Sequence, residues 1–152
     1  MKAAPKKMPS ETLMIVEDDA LVAIFLHDVL KDAGYKVLEL TDRQNAALQV
    51  AEAGKPHLAL VNISLAGGDD GIELSERLKA MRIPVLLISG QASRASSSRT
   101  VAIGSMPKPY NAAEMVVAVA YLFARLKGDK SLPCPSQLEV FDDSSFDVES
   151  AA

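Results

Sequence analysis

The sequence predicts an α/β fold built on one doubly wound, five-stranded parallel sheet, and three observations carry that prediction. Short apolar runs of buried-strand length alternate with segments whose apolar residues recur every three or four positions. Five such β/α units fit between Thr12 and Lys127. Strands alternating with helices require right-handed crossovers, which put helices on both faces of a parallel sheet.

The elements follow in order. Leu13-Met14-Ile15-Val16 is an uninterrupted apolar run, as a strand buried on both faces needs. Asp19 can cap the next helix, with Val22, Phe25, Leu26, Val29 and Ala33 as its apolar stripe. Gly34 stops that helix, because it tolerates the left-handed backbone past a helix end. Lys36 to Leu40 reads as the second strand, Gln44 to Ala53 as the second helix and Leu58 to Val61 as the third strand. Ile72 to Met81 is helical, Pro84 to Ile88 is the fourth strand and Gly104 to Met106 the fifth. Asn111 caps the last helix, with Glu114 three residues on in the manner of a capping box. Residues 1–11 then read as a flexible N-terminal arm, 12–127 as the folded domain and 128–152 as an acidic C-terminal tail.

Composition narrows the function. With 152 residues, 49% hydrophobic and 24% charged, the chain reads as one globular domain. Cys134 stands alone, which excludes an intramolecular disulfide and fits a reducing compartment. No apolar stretch approaches the ~18 to 20 residues of a membrane span, and no signal-peptide pattern follows Lys2, Lys6 and Lys7, so membrane insertion and secretion are not expected and a cytoplasmic protein is. The net charge is −4, with Glu139, Asp142, Asp143, Asp147 and Glu149 in the tail and no base after Lys130. No basic stripe emerges, so direct nucleic-acid binding is not expected.

In doubly wound sheets, ligands collect at the carboxyl ends of the strands. Here those ends carry Glu17-Asp18-Asp19, Asn62, Ser89-Gly90 and Pro107-Lys108-Pro109. Carboxylates, a hydroxyl and an ammonium together suit Mg²⁺ and a phosphoryl group, since Mg²⁺ is commonly shared between carboxylates and phosphate oxygens. Each residue alone has a plain structural reading, because acids after strands cap helices and a serine there serves a turn. Four strand ends with complementary chemistry are harder to dismiss.

With Leu13 to Asp19, Leu58 to Gly71, Ser89-Gly90 and Lys108-Pro109-Tyr110 in place, the sequence resembles the response-regulator receiver domain, the CheY-like family. The resemblance covers roughly residues 12–126 and implies a flavodoxin-like sheet of order 2-1-3-4-5, two-component phosphorelay signalling and a stand-alone receiver. It implies that Glu17, Asp18, the side chain at position 62 and the backbone carbonyl of Ser64 hold Mg²⁺. It further implies that Ser89 contacts the phosphoryl group, that Lys108 bridges it to position 62, and that the Lys108–Pro109 bond is cis. The implied partners are a histidine kinase or phosphotransfer protein, and an output protein or second copy bound through strand five and the last helix.

Three departures matter. Working receivers carry Asp at the phosphoacceptor position, and this chain has Asn62. An amide lacks the anionic oxygen that attacks in line, so phosphoryl acceptance is expected to be blocked and Mg²⁺ binding weakened. The chain is then a natural pseudo-receiver or a receiver in which Asn62 replaces an original Asp; retention of Glu17, Asp18, Ser89 and Lys108 leans toward the second. Ser105 stands where many receivers have an aromatic switch. Ser93, Ser96, Ser97 and Ser98 crowd the segment of the family's fourth helix, which is expected to be short or mobile. Turnover on an external substrate is not expected. The alternative is a small flavodoxin-like metal-dependent phosphatase, but Glu17-Asp18-Asp19 lacks the Asp-x-Asp arrangement that such enzymes place after the first strand.

Other residues have quiet readings. His27 lies off the helix stripe and His57 follows Pro56 in a turn, with no second His or Cys near either for zinc. Ser64 has no adjacent base and is no substitute nucleophile. Gly67 to Gly71 reads as a flexible turn, without the Lys-Ser/Thr ending of a phosphate loop. Met115 to Ala124 is apolar throughout, more than one sheet-covering face needs, which suggests an exposed strip at Val117 or Tyr121. The tail is either a solvated acidic segment or a docked one, with Leu138, Val140, Phe141, Phe146 and Val148 as anchors, Phe141 first, and Arg94 and Arg99 as the basic rim.

Overall fold

Parallel strands form the centre of the computed structural model, which describes residues 11–90 and 99–141. The elements run β1 (Thr12–Val16), α1 (Ala20–Asp32), β2 (Lys36–Val37), α2 (Gln44–Gly54), β3 (Leu58–Asn62), a 3₁₀ turn (Ala66–Gly68), α3 (Gly71–Ala80), β4 (Val85–Ser89), β5 (Gly104–Pro107), α4 (Ala112–Leu126) and β6 (Glu139–Val140). The sheet order is β2-β1-β3-β4-β5-β6. The first five strands are parallel in the expected order, and β6 adds an antiparallel sixth.

Strand alternation divides the core between the two faces. Leu13, Ile15, Leu58, Leu60, Leu86 and Ile88 point to one side, where α1 and α4 cover them with Leu26, Leu30, Met115 and Leu122. Met14, Val16, Ala59, Val61 and Leu87 point to the other, against Ala47 and Ala51 of α2 and Leu74 and Leu78 of α3. Because both faces are covered, the central strands can be apolar at every position.

The caps follow the local sequence. Asp19 Oδ1 accepts from the amides of Leu21 and Val22 at 3.0 and 3.3 Å. Asn111 and Glu114 exchange reciprocal 2.8 Å bonds, completing the capping box. The stripe assigned to α1 needs correction, because its buried residues are Ala23, Leu26 and Leu30, while Phe25 is 44% exposed. Strand two is also shorter than expected, and its extension joins β1 through the Leu38 amide, which donates to the Leu13 carbonyl at 2.9 Å, and a bridge between Val16 and Thr41.

Two glycines mark close approaches. Gly71 was expected in a flexible turn, yet it opens α3 and is buried; a Cβ there would come within 2.1 Å of the Asn62 carbonyl oxygen. Asp70 caps this helix through the amide of Ile72 at 2.8 Å, and Asp69 accepts from the amide of Gln44 at 2.8 Å, so the connection is held in place. Gly104 lets β6 lie against β5, since a Cβ there would sit 2.9 Å from the Glu139 carbonyl oxygen.

The tail is docked at the end of its described portion, over Leu138 to Phe141. Leu138 and Phe141 are buried, and the Phe141 amide donates to the Ile103 carbonyl at 3.0 Å. Arg99 lies 3.5 Å from the Glu139 carboxylate, and its guanidinium sits 5.3 Å from the Phe141 ring centroid. The folded unit therefore continues past residue 127 to Phe141. Phe146, Val148, Arg94 and the serine-rich stretch expected to weaken a helix lie outside the described residues. In α4, Val117 faces outward at 52% exposure and Tyr121 is buried.

Candidate functional site

The residues singled out at the strand ends occupy one end of the sheet. As β1 ends, the Glu17 amide donates to the Thr41 carbonyl at 3.0 Å, which fixes the exit of the acidic run. Glu17 is buried; its Oε2 accepts from the Asp19 amide at 3.1 Å, while Oε1 has no partner among the described residues. Burial first, and then the neighbouring Asp18 carboxyl, push the Glu17 carboxyl up to about 7, against the opposing Asp19 amide and Lys108 charge. Asp18 is exposed at the mouth of the site. Asp19 is spent on capping α1.

Asn62 ends β3 and is 5% exposed. Its Nδ2 donates to Asp18 Oδ1 at 3.0 Å and to the Ser64 carbonyl at 2.7 Å. Both facing atoms are acceptors, so the amide must turn its nitrogen toward them. The contact of Gly71 with the Asn62 backbone holds the strand end close to the start of α3. Ser64 itself is exposed and bridges to Asp70.

Ser89 and Lys108 arrive on neighbouring strands. Ser89 is buried, and its carbonyl accepts from the Lys108 amide at 3.0 Å. The Lys108–Pro109 peptide is cis, as the resemblance implied. Lys108 is exposed, and its charge lowers the proton affinity of Glu17. Ser105 is buried between β4 and β6, opposite Leu87 and Glu139.

The site thus brings Asp18, Asn62 and Ser64 into direct contact, joins Ser89 to Lys108 through the backbone, and couples Lys108 to Glu17 electrostatically. Two residues carried no signal as site groups. The Thr41 hydroxyl and the Tyr110 phenol are buried without hydrogen-bond partners among the described residues. Burial, and then the charge of Glu17, push the Tyr110 phenol up to about 12. A cleft of about 300 Å³ opens beside the acids, with Thr41, Asp42 and Ile24 on its walls. Beside it, α1 exposes Leu21, Ile24 and Phe25 to 79%, 51% and 44%. His57 sits away from this site, at the opposite end of β1, where its Nδ1 accepts from the Thr12 amide at 2.9 Å. Among the described residues no three His, Cys, Asp or Glu side chains cluster as a metal site, and no helix is long and apolar enough to cross a membrane.

Comparisons with known proteins bear on the family and the fold. A family model, the response regulator receiver domain, matches residues 13–120. The phosphate regulon transcriptional regulatory protein PhoB of Pseudomonas aeruginosa is 28% identical over 134 residues, covering 83% of this chain and 58% of that protein. The phyllosphere-induced regulator PhyR of Methylorubrum extorquens is 30% identical over 84 residues, covering 54% of this chain and 32% of that protein. The chain thus spans little more than half the length of PhoB and less of PhyR. Among solved structures, a CheY-like receiver domain protein from Methanospirillum hungatei superposes with a TM-score of 0.70 at 20% identity, covering 79% of this chain and 98% of that one. That likeness speaks for the fold.

Proposed function

The chain belongs to the response-regulator receiver family, and from that premise we propose that it is a two-component signalling module that acts through protein contacts, with phosphoryl acceptance blocked at Asn62. Receiver domains are signalling modules and not classical enzymes, although they carry phosphotransfer capacity. They generally bind Mg²⁺ at the acidic pocket and interact with histidine kinases or phosphotransfer proteins and with output partners.

The observation that carries the reading is the Asn62 amide directed at Asp18 and Ser64. An acceptor position needs an anionic oxygen open to in-line attack. This one holds a neutral group whose facing atom is a hydrogen-bond donor and whose nitrogen lone pair is delocalised into the amide. The surroundings would serve transfer if an oxygen anion stood there. In this reading Ser89 hydrogen-bonds a phosphoryl oxygen and Lys108 neutralises its charge, while Glu17 and Asp18 supply the acidic wall.

The exposed Leu21, Ile24 and Phe25 on α1 flank this wall, which favours them as the surface where a phosphodonor protein docks. A partner approaching strand five meets β6 along its outer edge, so in this reading Val117, exposed on α4, is the apolar contact offered to an output protein or second copy.

Incubation with radiolabelled acetyl phosphate tests the reading. The unmodified chain should remain unlabelled, Asn62→Asp should take label, and adding Asp18→Ala to that variant should abolish it. Labelling of the unmodified chain, or no labelling of a folded Asn62→Asp, overturns the proposal.

A further inference from the structure

Mg²⁺ is the ion the family implies, and the donor set at this site does not fit it as arranged. Asp18 Oδ1 and the Ser64 carbonyl are two of the oxygens that would face the cation, and both accept hydrogens from one nitrogen, at 3.0 and 2.7 Å. A carboxamide nitrogen has two hydrogens, and the geometry spends both. A third ligand would have to come from position 62, which presents N–H there instead of oxygen. Glu17 adds an oxygen already engaged by the Asp19 amide and a second one that meets no donor among the described residues.

We propose that the Asn62 carboxamide takes the cation's place, bridging Asp18 and the Ser64 carbonyl so that the site is held together without metal. The inference rests on the receiver reading and deepens it. An N–H donor and a cation solve the same problem for these oxygens, since each places positive charge between a carboxylate and a carbonyl dipole. Entry of Mg²⁺ would break two hydrogen bonds and turn the amide so that its oxygen faced the ion. Without the ion, that turned orientation sets three oxygens against one another, so the nitrogen-inward orientation is self-locking. Asn62 is then more than a missing charge, because it competes with the metal for its ligands. Asn62 also has little room to leave: it is 5% exposed, and its backbone lies against Gly71.

Calorimetric titration of MgCl₂ into the unmodified chain, Asn62→Asp and Asn62→Ala separates this bridge from simple charge loss. Asn62→Asp should bind most tightly. Asn62→Ala, which contributes no ligand but frees Asp18 and Ser64, should bind about tenfold more tightly than the unmodified chain. If charge alone matters, Asn62→Ala binds no better than Asn62, or worse because it lacks the amide oxygen, and the proposal falls.

The unmodified protein gives a second readout in case Asn62→Ala does not fold. Its Asn62 side-chain NH₂ resonances, identified by their loss in Asn62→Asp, should exchange slowly with solvent and stay unmoved by millimolar Mg²⁺. Fast exchange, or a saturable Mg²⁺-dependent shift, overturns the proposal. Failure of Asn62→Asp to take label from acetyl phosphate would instead overturn the receiver reading, and the ranking of Asn62 against Asn62→Ala does not depend on that assay.

Discussion

The amino ends of the strands and their carboxyl ends are built from the same sheet, yet they treat their polar groups differently. At the amino ends, Thr12 and His57 exchange bonds at 2.9 and 2.8 Å, and the Lys36 amide reaches the Glu11 carbonyl at 3.1 Å. Lys127 pairs with the Glu11 carboxylate, and Lys79 caps the Thr100 carbonyl. Phe141 closes the adjoining corner with Ile83, Val85 and Ala102. At the carboxyl ends, the buried side-chain oxygens that lack partners among the described residues gather: Glu17 Oε1, Thr41 Oγ1 and Tyr110 Oη. Leu21, Ile24 and Phe25 are exposed beside them. One end is finished for stability, and the other stays unfinished in the way a binding site is.

That contrast explains what the sequence disclosed. The strands were legible because the central ones are apolar at every position, and the helix starts because Asp19 and Asn111 act on amides two or three residues away. Phe25 was misplaced because a stripe drawn through the largest side chains passes over Ala23, and Ala23 is what faces the core. Docking of the tail was legible only as one of two alternatives, and the strand β6 was not legible at all. Its two residues pair with a strand more than thirty positions earlier, beyond Pro133-Cys134-Pro135, so no local pattern marks it. At the site, Glu17, Asp18, Asn62, Ser89 and Lys108 were legible because charge or hydrogen-bonding chemistry falls in sequence at a strand end. Thr41 and Tyr110 were not, since their significance is burial without a partner among the described residues. The direction of the Asn62 amide was not legible either; it depends on Asp18, 44 residues away.

The contrast can be broken most forcefully at Phe141. If the amino-end corner carries stability, Phe141→Ala should cost about 3 kcal/mol in urea unfolding, the low end for a buried phenylalanine. In an Asn62→Asp background it should leave labelling by acetyl phosphate unchanged under conditions where the protein remains folded. An unaltered unfolding midpoint would mean that the docked tail adds nothing to the fold.

The opposite pattern is expected on α1. Leu21→Lys and Phe25→Lys alter exposed side chains and should shift stability by no more than about 0.5 kcal/mol. In the same Asn62→Asp background they should slow transfer from a phosphohistidine donor protein about tenfold, equivalent to ~1.4 kcal/mol of docking, while acetyl phosphate labels as before. Equal slowing with both donors would move the effect from docking to the chemistry of the site.

A smaller effect, of the opposite sign, sharpens the comparison. Tyr110→Phe and Thr41→Val each remove a buried hydroxyl that has no partner among the described residues, so each should leave stability unchanged or raise it by up to about 1 kcal/mol. A loss of that size from either variant would reveal a hydrogen bond that the site does make.

The smallest effect belongs to the ion pair between Glu11 and Lys127, which ties the start of β1 to the end of α4. Burial alone would raise the Glu11 carboxyl, but the Lys127 hydrogen bond, a backbone hydrogen bond and then the Lys127 charge act together against it and hold the group below its ordinary 4.5. A depressed carboxyl stabilises the fold above its unfolded value, and that contribution is lost as pH falls through the lower folded value. Lys127 is largely exposed, so water screens the pair, and Glu11→Gln should cost less than about 1 kcal/mol at neutral pH. The difference between the two proteins should shrink toward zero in acid, where both carry a neutral group at position 11. A larger, pH-independent loss would show that Glu11 acts through its half-buried packing. A pH-dependent loss as large as that of Phe141→Ala would show that ion pairing, and not apolar closure, secures this end of the sheet.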